Sequence, residues 1–181
     1  MDIVSLLKRL KNGEELAYKE LVFSFTARLM TISRIYAKSE EDAKDVLQDV
    51  FLTVYEKIHS FEATHEAALY GWLKRIVINK CLSRNQKKFR TQESSLDAME
   101  FEKGISEEAV SNMSHQEIMD MIFNLPDDQR KVFGLYVIEG FSHKEIAEML
   151  QITETNSRTH LHRSRVILQD KIKFSKKIMI A

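Results

Sequence analysis

The sequence predicts an all-α protein: two small helical domains joined by a flexible linker, the C-terminal one a helix-turn-helix. Three observations carry that expectation. Five glycines and one proline among 181 residues are too few for the tight turns of an all-β fold, while Leu, Ile, Lys, Glu and Met are plentiful. Over most of the chain, apolar residues recur at steps of three and four, the spacing of one helix face. Across residues 91–112 that period stops, and Ser94, Ser95, Gly104 and Ser106 stand among acidic residues, as in an inter-domain tether. The expected division is therefore 1–90, a linker at 91–112, and 113–181.

Residues 2–11 read as a short amphipathic helix with Ile3, Leu6, Leu7 and Leu10 on one side, broken by Asn12-Gly13. The next helix carries Ala17, Leu21, Phe25, Leu29, Ile32 and Tyr36 on one stripe. Ser39-x-x-Asp42 resembles a capping box and opens the most regular helix, whose stripe is Ala43, Val46, Leu47, Val50, Phe51, Val54, Tyr55 and Ile58. Its opposite face holds Asp42, Asp45, Gln48, Asp49 and Glu56, with Leu52 among them. So many carboxylates repel DNA, and the face suits either solvent or a docking protein. Residues 59–68 read as a loop. A helix starting near Ala68 buries Leu69, Trp72, Leu73, Ile76 and Val77 and runs into a basic stretch ending near Arg90. Lys74, Arg75, Asn79 and Arg84 make its other face a candidate phosphate-binding surface.

After the linker, Ser114-x-x-Glu117 restarts helicity, and Ile118, Met121, Ile122 and Leu125 lead to Pro126, which stops or restarts the helix. Glu139-Gly140-Phe141 then permits a turn, and Ser142-x-x-Glu145 caps a helix with Ile146, Ala147 and Leu150 on one face. Gln151-Ile152-Thr153 forms a compact connection, with Thr153 capping the last helix. Two helices joined by so short a turn suit a helix-turn-helix. Leu161 and Leu168 anchor the last helix, which otherwise presents Glu154, Thr155, Asn156, Arg158, Thr159, His160, His162, Arg163 and Arg165. Amide, hydroxyl and guanidinium groups so placed can reach base edges in a major groove while arginines hold phosphates.

Net charge is zero, but its distribution is uneven. Residues 74–90 are basic without an acidic residue, 40–56 and 93–108 are acidic, and the C-terminal helix is basic. Two basic surfaces and two acidic segments suggest two kinds of partner. The single Cys81 excludes an intrachain disulfide, and no Cys/His cluster has zinc-ligand spacing. His160-x-His162 sends its two rings to different helix faces, so no metal is expected there. No cofactor is expected either. No signal peptide or membrane-spanning segment is seen, so an intracellular, cytoplasmic protein without membrane insertion is the expectation.

DAKDVLQDVFLTVYEKI, GWLKRIVINKCL and NLPDDQRKVFGLYVIEGFSHKEIAEML, in that order and across nearly the whole chain, resemble bacterial RNA polymerase sigma factors of the sigma-70 family. The reduced, two-domain extracytoplasmic-function (ECF) group fits best. The resemblance implies that residues 1–90 are a region-2-like domain for core polymerase docking and the minus-ten element. It implies likewise that 113–181 are a region-4-like domain for the minus-thirty-five element. Asp45, Gln48, Asp49 and Leu52 would contact the clamp of the polymerase largest subunit. Lys74, Arg75, Asn79 and Arg84 would hold promoter DNA at the minus-ten element, where an unstacked base is captured. Thr155, Arg158, Thr159, His162 and Arg163 would face the duplex minus-thirty-five element. An anti-sigma factor is a further implied partner, and no catalytic residue is expected.

Two departures carry expectations of their own. The family usually has a branched apolar residue where this chain has Ser157, which bears on the depth and rotation of the last helix. The loop before Tyr70 holds only Phe61 as an aromatic, so little stacking is available for melting and promoter choice should be strict. Two other readings remain at this point. A free-standing helix-turn-helix regulator would explain the C-terminal half but leave the acidic and first basic helices without a task. An enzyme acting on nucleic acid would need a catalytic constellation the sequence does not display.

Overall fold

The structure, a computed structural model, describes residues 2–85 and 113–179, with side chains through 84 and 173 respectively. The expected linker at 91–112 and the end of the basic run lie outside the described residues. The chain divides into two compact units, Met1–Asn85 and Gln86–Ala181.

In the first unit, α1 (Ile3–Lys11) is capped by Asp2, whose carboxylate accepts from the Val4 and Ser5 amides at 3.1 and 3.3 Å. It ends at Gly13, whose φ of 76° lies in the left-handed region that glycine enters without a Cβ penalty. Helices α2 (Glu15–Tyr36), α3 (Glu40–Lys57) and α4 (Glu66–Asn85) pack on one another. The whole predicted stripe of α2 is buried. So is that of α3 except for Tyr55, which is 60% exposed and makes an edge-on contact with Tyr18 at 5.6 Å. Two hydroxyls of this unit are paired with backbone: that of Ser33 donates to the Ala43 carbonyl at 3.0 Å, and that of Tyr18 to the Phe51 carbonyl at 2.8 Å.

Ser39 caps α3 as expected by accepting from the Asp42 amide at 3.1 Å. The Asp42 carboxylate reaches back to the Lys38 amide at 3.1 Å, one residue further than a capping box requires. The predicted loop begins with a 3₁₀ turn, Ile58–Ser60, and α4 starts two residues earlier than expected. Its buried stripe is Leu69, Leu73, Val77, Ile78, Cys81 and Leu82. Trp72 and Ile76 are only half-buried, a correction to the expected core. Trp72 instead stacks on Phe61 from the preceding loop, with ring centroids 4.2 Å apart.

In the second unit, α5 (His115–Phe123) opens with the predicted Ser114–Glu117 capping box. It buries Met119 and Ile122, with Leu125 beyond it, while Ile118 and Met121 are half-buried. Pro126 precedes α6 (Asp127–Phe133). Arg130 ties the joint by donating to the carbonyls of Phe123 and Leu125, at 3.1 and 3.4 Å, and to Asp127 at 2.9 Å. The Phe123 carbonyl ends α5, that of Leu125 follows it, and neither has an i+4 helical donor. Next comes a π-helical turn, Gly134–Ile138, which periodicity did not reveal, and then Gly140 at φ 78° in the predicted break.

Helix α7 (His143–Leu150) has the predicted Ser142–Glu145 capping box and buries Ile146 and Leu150, with Ala147 half-buried. Gln151 closes it in the left-handed region at φ 56°. The Thr153 hydroxyl accepts from the Asn156 amide at 3.1 Å, opening α8 (Glu154–Met179) as expected. Helix α8 packs on α5, α6 and α7 through Ser157, Leu161, Ser164, Leu168 and Ile172.

Candidate functional site

Two surfaces of the first unit hold the candidate residues. On α3, Asp45 and Gln48 are exposed, Asp49 is partly covered, and Leu52 is 63% exposed, more than a side chain of its size needs to be. Leu52 and Tyr55 border a groove of about 300 Å³, together with Leu10, Tyr18 and Ile58, edged by Glu14 and Glu15. The outer face of α3 is thus an apolar patch set in carboxylates. On α4, Arg75 and Asn79 are exposed one turn apart, and Lys74 is half-buried.

Arg84 is not a freely projecting phosphate ligand. Its guanidinium reaches across to α3 and sits 3.3 Å from Asp42 and 3.3 Å from Asp49. A residue expected at DNA and one expected at a protein partner are therefore paired with each other. Sequence spacing could not show this, because the pairing depends on how α3 and α4 pack. Nearby, Arg28 stacks over the Tyr70 ring, 3.9 Å from its centroid, and pairs with Glu66 at the start of α4. With the Phe61–Trp72 stack, this supports the loop and the first turns of α4 through aromatic contacts that spacing did not identify.

In the second unit, Thr155, Arg158, Arg163 and Arg165 are exposed on α8, while Asn156, Thr159, His160 and His162 are partly covered. Arg158 is held toward Glu154 at 3.0 Å, and the Thr159 hydroxyl donates to the Thr155 carbonyl at 3.0 Å. The buried Nδ1 of His160 and Nε2 of His162 have no hydrogen-bond partner among the described residues. Burial pushes the His160 pKa down, opposed by Asp128 and reinforced by Arg163. Ser157, the departure noted in the sequence, is fully buried, and its hydroxyl shares a 2.8 Å hydrogen bond with His143 Nδ1.

Together these features define a class: a helical protein with an exposed carboxylate-and-leucine face in one unit and a helix-turn-helix in the other. Comparison with known proteins makes the class specific. Residues 16–91 match Sigma-70 region 2, and residues 115–168 match Sigma-70 region 4. The chain is 29% identical over 180 residues to the ECF RNA polymerase sigma-E factor of Haemophilus influenzae, covering 93% of this chain and 94% of that one. It is 26% identical over 179 residues to the ECF sigma-E factor of Escherichia coli K12, covering 92% of each. Among solved structures, CnrH in complex with the cytosolic domain of CnrY is similar at 22% identity and a TM-score of 0.48, over 93% of this chain and 95% of that one. RpoE of Bartonella quintana in complex with the anti-sigma factor NepR is similar at 21% identity and a TM-score of 0.48, over 86% and 96%.

The chain belongs to the sigma-70 family, in its ECF group. It is an alternative sigma factor, a transcription-initiation protein that directs RNA polymerase, and not an enzyme. The matches lie in both units, so the free-standing regulator has no support. Among the described residues no helix is long and apolar enough to cross a membrane.

Proposed function

We propose that the two units divide promoter recognition between them. Residues 1–90 dock on core RNA polymerase and hold the minus-ten element, 91–112 form the connection, and 113–181 read the minus-thirty-five element. The docking contacts are Asp45, Gln48, Asp49 and Leu52, against the clamp of the polymerase largest subunit. The observation that carries this reading is the exposure of Leu52 among carboxylates on α3: such a face excludes DNA and suits a protein with basic and apolar groups.

Arg75, Asn79 and Lys74 hold the minus-ten strand, and Arg84 joins them when it leaves Asp42 and Asp49. Thr155, Arg158, Thr159, His162 and Arg163 face the minus-thirty-five duplex, where exposed Arg158 and Arg163 can supply bidentate contacts. The protein works in the cytoplasm, where polymerase is, and an anti-sigma factor covering the same surfaces would hold it inactive.

Run-off transcription with core polymerase on a genomic fragment library tests the scheme. Specific transcripts are expected only when both the chain and core polymerase are present, sharing two sequence elements upstream. Specific promoter binding by the chain alone, unchanged by core polymerase, would overturn it.

A further inference from the structure

A polar contact joins α8 to α7. Ser157 is fully buried, and its hydroxyl lies 2.8 Å from Nδ1 of His143, the first residue of α7. The His143 ring stacks on Tyr136 in the π-helical turn, with centroids 4.6 Å apart and planes 22° from parallel. The Arg165 guanidinium, two turns further along α8, lies 5.9 Å from the centroid of that same tyrosine ring. Three successive elements are therefore fastened at one place, by a hydrogen bond, a ring stack and a cation over a ring.

The rest of α8 is held differently. Leu161, Leu168 and Ile172 grip by burial, and burial has no preferred direction. A hydrogen bond does, weakening steeply as its angle falls. Ser157 is also the residue next to Arg158 and lies two after Thr155, so a turn of α8 at this point swings both. A base-edge contact tolerates only about 0.5 Å and 10–20° of misplacement.

We propose that His143 and Ser157 form a polar strut that fixes the rotation of α8 and so sets its base preference in the duplex element. Both are positioning residues and touch no DNA themselves. The proposal rests on the reading of α8 as the duplex-reading helix. It assigns a purpose to a serine that is fully buried on a helix otherwise held by Leu161, Leu168 and Ile172.

The test uses the full chain assembled with core polymerase and a panel of promoters in which each minus-thirty-five base pair is changed singly. Ser157→Ala removes only the hydroxyl, and His143→Phe keeps a ring on Tyr136 while removing the nitrogen; His143→Leu replaces it if the Phe variant does not fold. Each single change is expected to alter relative preference at the same base pairs by roughly 3–10-fold, the worth of one neutral hydrogen bond. The double variant should do no more than either single change. Even weakening across all promoters, or effects that multiply in the double variant, would overturn the strut as a determinant of preference.

Arg158→Ala and Arg163→Ala in the same panel separate the two levels. If neither alters binding to any promoter, α8 reads no duplex, and the underlying reading and the strut fall together. If they do and Ser157→Ala leaves the preferences unchanged, only the strut is overturned.

Discussion

Reversing charge at two positions one turn apart on α3 should have different consequences, because only one of them is tied into the fold. Asp45 is exposed and makes no ion pair among the described residues, whereas Asp49 lies 3.3 Å from Arg84. The side chains of Arg84 and Asp49 are 38% and 42% exposed, so solvent screens the pair, and about 0.2–1 kcal/mol is a suitable figure for it. Asp49→Lys removes that attraction and adds a like charge, for a total near 1 kcal/mol. A loss of that size lowers Tm by about 4–8 °C in a unit of this length. Asp45→Lys, away from any such feature, should stay within about 0.5 kcal/mol of wild type. Both should weaken binding to core polymerase, measured by competition against the wild-type chain, because both reverse charge on the proposed docking face. Thermal denaturation followed by circular dichroism supplies the second readout. Wild-type affinity for Asp45→Lys would refute the docking assignment. An unchanged Tm for Asp49→Lys would refute the account of Arg84 as a bridge between α3 and α4.

Arg158→Ala or Arg163→Ala should cost about 1–3 kcal/mol at one base pair if the arginine makes a bidentate base contact, and should weaken all sequences evenly if it holds phosphate; competition binding across promoter variants tells these apart. Phe61 already has one face on Trp72, so stacking on a flipped base has little further aromatic surface to use, and promoter choice should be strict. Permanganate footprinting that shows efficient opening of poorly matched promoters would count against this. Burial lowers the pKa of His143 and of His160 below the ordinary 6.5, with Arg158 adding to the effect at His143. Unfolded chains then bind more protons than folded ones as pH falls through 6.5, so this stability is present above that value and lost on acidification through the lower folded pKa. Hydrogen exchange of α7 and α8 amides should accordingly quicken, relative to the intrinsic rate, between pH 7.5 and 5.5 (about one unit either side of the unperturbed histidine value).

What could be read from the sequence was mostly local. The capping boxes at Ser114 and Ser142 and the cap at Thr153 involve partners three residues apart, and the buried stripe of α2 follows from helical period alone. Relations across elements were hidden. Tyr55 lies on the correct stripe of α3 but at its edge, where the Tyr18 ring meets it. Trp72 has core spacing among Leu and Ile, yet it is half-buried and a loop residue, Phe61, covers its face. The pairing of Arg84 with Asp42 and Asp49 crosses more than thirty residues and depends on the packing of two helices. The Ser157–His143 bond was likewise out of reach, since a serine in a basic helix gives no sign of which side faces inward. The exposed cations of α8 were legible because charge and burial exclude each other there, while Thr159 and His162 were judged more open than they are.

The π-helical turn at Gly134–Ile138 has a consequence for how this chain can be lengthened or shortened. A wide turn accommodates one residue more than the same stretch of α-helix while leaving the faces on either side aligned. Deleting one residue inside Gly134–Ile138 would restore ordinary winding and leave Gly140 and the Ser142 cap where they are. The same deletion within α6 would turn everything beyond it by about 100° relative to the part of α6 that precedes it. A single-residue gap is therefore tolerable in one place here and disruptive a turn earlier, and alignments of this chain with its relatives should put it there.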